Sequence, residues 1–184
     1  MNSSMLNKAV NFIWFQTTWF LVIFKQYEFI WAIGLLFIAF FAFSRAKSRD
    51  VVIMLVIVIL GTLVDSVLTK TGLFLFNSAV YLVPIPVWLI ALWGAFSLTL
   101  PYSLNYLQGR WVVCVLLGAV FGPVSYWAGE RFGAVVFPQT LWSTLVILSA
   151  VWAVIFPVCM GIARGIEQYF TDNSQTQFER QEKS

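Results

Sequence analysis

The sequence predicts an all-α fold: a polytopic transmembrane helical bundle of about six spans. Three observations carry this. Hydrophobic residues make up 60% of the 184 positions and charged residues 10%, where a soluble domain has about 25% charged. The apolar residues form long runs separated by short polar segments. In the central stretch Trp88–Gly133, small and hydroxylated residues recur at helical spacing, with Gly118, Gly122, Ser125, Gly129 and Gly133 on one face. Such a face lets another backbone approach closely, which is how helices pack inside a bilayer.

The spans follow in order. Residues 10–24 form the first, weakened by Gln16, Thr17 and Thr18, so an amphipathic helix lying in the interface is the alternative. The apolar run continues without a small-residue cleavage site, so no secretory signal is expected. Residues 29–43 are apolar throughout but cover only about 22 Å of a roughly 30 Å hydrocarbon core. Ser44–Asp50 (SRAKSRD) is a dense charge run. Residues 51–69 form the third span and contain Asp65. The connector Gly72–Pro86, with Asn77, Ser78, Pro84 and Pro86, is expected to rest in the interface or dip into the bilayer. Residues 87–107 and 111–128 are the fourth and fifth spans, and residues 139–163 run without a charge as the sixth. The polar tail, residues 171–184, is expected to be disordered. Residues 1–170 then form one domain. No internal repeat stands out.

Charge sets the expected orientation. With both termini cytoplasmic, the inner segments hold Lys8, Arg45, Lys47, Arg49, Arg110, Arg164, Arg180 and Lys183, and the outer ones only Lys25, Lys70 and Arg131. Eight against three follows the positive-inside bias. The net charge of +3 is too small for a nucleic-acid partner. Histidine is absent, which removes the commonest general base and metal ligand. Cys114 and Cys159 sit in separate apolar runs and read as buried small hydrophobes rather than a metal pair. No metal and no cofactor are expected, and no familiar catalytic motif occurs.

Asp65 is the one acid well inside an apolar run, about 21 Å along its helix from Val51. An intramembrane acid usually lines a cavity or pathway. The structural alternative is an interhelical hydrogen bond, or a pair with Lys70 or Arg131. Thr69 lies four residues on, and Gly61 four residues back, so this face points into the bundle. Tyr126 and Glu130 on the fifth span, with Trp93 and Ser97 on the fourth, complete a candidate pocket of Asp65, Thr69, Trp93, Ser97, Tyr126 and Glu130. Thr99, Ser103 and Tyr106 form a second polar line, read as packing contacts. Pro101 and Pro123 interrupt spans four and five and can open space between them.

The combination GTLVDSVL (Gly61–Leu68), PIPVWLIALWGAFSLTLPYSL (Pro84–Leu104) and GAVFGPVSYWAGERFGAV (Gly118–Val135) resembles a family of small six-span inner-membrane proteins of Gram-negative bacteria, classed as a domain of unknown function. The resemblance implies an inner-membrane location and an association with membrane-lipid modifying enzymes of the cyclopropane-synthase and flavin-oxidase kinds. It transfers no activity. The expected function is an accessory protein binding a membrane lipid, or a lipid-modifying partner enzyme, through an outer-facing pocket between spans three, four and five. An enzyme acting on a lipid or isoprenoid through Asp65 or Glu130 is the first alternative. A small proton-coupled transporter is the second.

Overall fold

The computed structural model describes residues 3–76 and 83–182. Six helices carry the fold: α1 (Ser3–Lys25), α2 (Ile30–Phe43), α3 (Lys47–Lys70), α4 (Val87–Ser97), α5 (Trp111–Arg131) and α6 (Leu141–Glu182). Helices α3, α5 and the Leu141–Asn173 part of α6 are long and apolar enough to cross a membrane, while α2 and α4 are apolar but shorter. The chain is a membrane protein built as a helical bundle. Helix α1 packs within that bundle, with Thr18 and Val22 fully buried. Within the connector after α3, residues 77–82 lie outside the described residues.

Two boundaries differ most from those the sequence predicts. The apolar run predicts a fourth span that is helical to Leu107, yet regular helix stops at Ser97. Pro101 has no N–H and disfavours helical geometry at Leu100. The chain continues as turns, with Leu104 N bonded to Thr99 O at 2.9 Å, and then as one 3-10 turn, Asn105–Leu107. Asn11 on α1 bridges this break. Its Nδ2 donates to Leu98 O at 3.2 Å, and its Oδ1 accepts from Ser103 N at 3.2 Å. A side chain from a neighbouring helix thus satisfies backbone groups that the break has freed. The second difference is the tail. Instead of being disordered from residue 171, α6 runs on to Glu182. That stretch has no Gly or Pro and is rich in Gln and Glu, which helices accept well.

The bundle has two distinct ends. At one, α3 and α5 stop in the same way. Gly72 (φ 79°) and Gly133 (φ 74°) take the left-handed conformation that favours glycine. Leu73 N then reaches back to Leu68 O at 2.9 Å, and Ala134 N to Gly129 O at 2.8 Å. These are Schellman caps, which satisfy carbonyls at the helix end. The two segments leaving the caps pair through an antiparallel bridge, Leu75 to Val136, and close this capped end. At the other end lies a polar network. Asp50, fully buried, accepts from Ser44 Oγ at 2.6 Å, Tyr102 OH at 2.6 Å, and Arg49 Nε and Nη2 at 3.0 and 2.8 Å. Arg49 also reaches Glu167 on α6 at 3.3 Å, and Gln108 donates to the same carboxylate. The charge run at Ser44–Asp50 therefore ties four parts of the chain together.

An internal repeat, unseen in the sequence, emerges from these features. In each of the hairpins α3–α4 and α5–α6, a glycine of the first helix receives a tryptophan of the second. A Cβ at Gly61 would overlap the Trp93 indole, and one at Gly122 would overlap Trp152. The capping glycine follows eleven residues later in both, Gly61 to Gly72 and Gly122 to Gly133, and the bridging residue fourteen later, Leu75 and Val136. Trp93 and Trp152 stack on one another, 5.3 Å between centroids and 5° from parallel. The core is thus a layered sandwich of glycine, two indoles and glycine.

Candidate functional site

Asp65 follows Gly61 by one helical turn, and Tyr126 follows Gly122 by one turn, so the repeat places the two side chains opposite each other. They bond directly: Tyr126 OH donates to Asp65 Oδ1 at 2.6 Å, and Trp93 Nε1 donates to Asp65 Oδ2 at 2.7 Å. Asp65 is only 1% exposed. Among the described residues no cation pairs with it. Arg131 instead lies 3.9 Å from Glu130 and over the Trp127 ring. Neutral donors, aimed at each carboxyl oxygen, replace the charged partner considered from the sequence. Phe74 stacks on the Tyr126 ring at 4.9 Å and 5°, which holds the phenol in place as a donor.

Beside this triad runs a cleft of about 590 Å³. One wall is α1 (Phe12, Phe15, Gln16, Trp19) and the facing wall is α5 from Leu117 to Gly129, about 18 Å of helix. Helix α4 and its following turns supply the floor, with Leu89, Leu92 and Thr99. The capped end shuts it with Phe76, Ala134 and Val135. Near that end α1 and α5 touch: Trp19 Nε1 donates to Ser125 Oγ at 3.0 Å, and the rings of Phe24 and Phe132 are 4.2 Å apart. Further along, the rim residues Phe12, Phe121 and Val124 are exposed, so the cleft opens sideways on the apolar outer surface of the bundle.

The structure separates the six candidate residues. Trp93 and Tyr126 line the cleft, and Asp65 stands directly behind them. The other three do not join. Thr69 Oγ1 donates to Asp65 main-chain O at 2.7 Å, within its own helix. Ser97 Oγ likewise donates to Gly94 O. Glu130 sits at the α5 terminus with its carboxylate beside Arg131 rather than at Asp65. The cavity also lies between α1, α4 and α5, with Trp152 and Phe156 of α6 at its base, rather than between spans three, four and five. All three residues of the second polar line, Thr99, Ser103 and Tyr106, line the cleft, with Tyr106 on the 3-10 turn at its exposed rim.

This arrangement can hold a slender apolar molecule more readily than it can transfer a proton to one. The carboxyl is screened by two rings, and each of its oxygens is already engaged. Among the described residues, no three potential metal-ligating side chains gather. Fold and site define a helical membrane protein with an apolar cleft that opens on the apolar outer surface of the bundle. Residues 8–158 match the model of a family described as "Protein of unknown function (DUF2878)", and the chain belongs to that family. No curated protein and no solved structure matches it.

Proposed function

We propose that this protein binds a membrane lipid, receiving one hydrocarbon chain in the cleft between α1 and α5, as a non-catalytic accessory to membrane-lipid modification. The observation that carries this reading is the cleft itself: long, mostly apolar, and open on the apolar outer surface of the bundle. Burying a chain there removes it from no water, so affinity comes from packing against the aromatic walls. Asp65 has a positioning role, holding Trp93 and Tyr126 in the wall. The enzyme reading is weaker because Asp65 does not reach the cleft and Glu130 lies at the helix end. The location proposed with it is a bacterial inner membrane, with both termini cytoplasmic. A lipid-modifying enzyme as partner rests only on the sequence resemblance.

Photolabelling with a phospholipid that carries a diazirine in its acyl chain tests the reading. Leu89 and Thr99 on the floor are buried from the outer surface, so label mapped to either residue requires a chain inside the cleft. Label confined to outward residues such as Val112, Leu116 and Val120 would refute it.

A further inference from the structure

Gln16 stands in the wall of this otherwise apolar cleft, and its carboxamide has no hydrogen-bond partner among the described residues. Its polar atoms are not sealed off, since the buried atoms lacking partners belong to other residues. Trp19 lies three residues on, so both project from one face of α1. Its Nε1 bonds Ser125 Oγ across the cleft, and the Ser125 hydroxyl hydrogen has no acceptor among the described residues. Both lining residues therefore offer unused polar capacity within about one helical turn of each other: an amide that donates and accepts, and a hydroxyl that donates. Both lie inside the bundle, Gln16 nine residues, about 13 Å, from the end of α1 at Lys25, and Ser125 six residues, about 9 Å, from the end of α5 at Arg131. No head group of a chain seated along the cleft reaches there without leaving the interface.

We infer that the cleft selects a lipid chain carrying an oxygen function within the chain, a hydroxyl, keto or ether oxygen, which Gln16 and Ser125 receive. The inference rests on the lipid-binding reading and names the chemistry of its ligand. A plain alkyl chain fills the same space but leaves the amide unpaired, and an unpaired polar group away from water is costly. Selection thus comes from penalising the wrong chain as much as from rewarding the right one.

Stearate and a stearate with a mid-chain hydroxyl, competed for the purified full-length protein in mild detergent and read by native mass spectrometry, test this. The wild type should prefer the hydroxylated chain by roughly three- to tenfold, about what one or two hydrogen bonds are worth. Gln16→Leu, which removes the unpaired amide from the wall, should bind stearate more tightly than the wild type does and lose most of the preference. Ser125→Ala, a smaller change, should lose part of it and guards against a folding failure in the first variant. Equal binding of both chains by the wild type, or a preference undiminished in both variants, would overturn the inference while leaving the cleft a lipid site. Failure of either chain to bind the wild type would overturn the lipid-binding reading, and this inference with it.

Discussion

Each carboxyl oxygen of Asp65 has its own donor, Tyr126 OH on one and Trp93 Nε1 on the other. That division decides what a substitution does. In Asp65→Asn one oxygen becomes an NH2, which opposes a donor with a donor and leaves that donor buried and unpaired. The expected loss of stability is roughly 1–3 kcal/mol. Tyr126→Phe removes one bond while keeping the ring stacked on Phe74, and should cost about 1 kcal/mol, the scale of an interhelical hydrogen bond in a membrane. Thermal unfolding of the purified variants in detergent measures both. If Asp65→Asn melts with the wild type, the carboxyl does not hold the wall in place. At this scale the sequence was partly informative. Asp65 stood out as the acid within an apolar run, and Trp93 and Tyr126 were placed near it. Asn11 gave no warning, because its role depends on a break in another helix. Thr69 and Ser97 misled because hydroxyls in helices often bond back to their own turn.

At the scale of elements, the glycines of α5 and α6 divide into those whose missing side chain is replaced by a neighbour and those that face open space. The Gly122 position is occupied by Trp152, and a Cβ added at Gly118 would lie 2.8 Å from Phe156 Cβ. Gly122→Leu should destabilise the bundle by about 1–3 kcal/mol through overpacking. Gly165 on α6 is the contrast, since a Cβ there meets nothing within 4 Å. Gly165→Ala should be neutral or stabilise by up to about 1 kcal/mol, the difference in helix propensity. Equal melting temperatures for the two variants would mean that the indole sandwich is not a tight contact. The small-residue face was legible as a packing surface from its spacing. Its partner was not, because nothing local ties Trp152 to Gly122. The repeat escaped notice for a related reason: it resides in the positions of a few Gly and Trp residues, while the residues between them differ. Pro101 was visible as an interruption, but whether a proline kinks a helix or ends it depends on which groups satisfy the freed backbone.

For the whole molecule, composition was enough to establish a helical membrane bundle, since no soluble fold tolerates so apolar an outer surface. The positions of the spans followed from the apolar runs, and the ends shifted where caps or prolines intervened. Orientation is argued from the eight-to-three distribution of positive residues. A cysteine added at the C-terminus should resist a membrane-impermeant reagent in intact cells and react after lysis. Reaction in intact cells would reverse the orientation. Cys114 and Cys159 are both buried and free, so they add no background to that assay.

The central claim is that the cleft holds a lipid chain. Among the described residues, helices α1 and α5 pack mainly on different partners and touch near the capped end, which leaves between them a space that a hydrocarbon chain would fill. Ala128 lines that space with a small side chain, and Ala128→Trp would occupy it while Asp65, Trp93 and Tyr126 themselves stay unchanged. Native mass spectrometry of the two proteins, purified side by side in the same mild detergent, is the most direct test. The account predicts that the wild type retains a lipid of defined mass, and that Ala128→Trp, with its melting temperature preserved, loses it. Identical lipid retention by the two proteins would contradict the account.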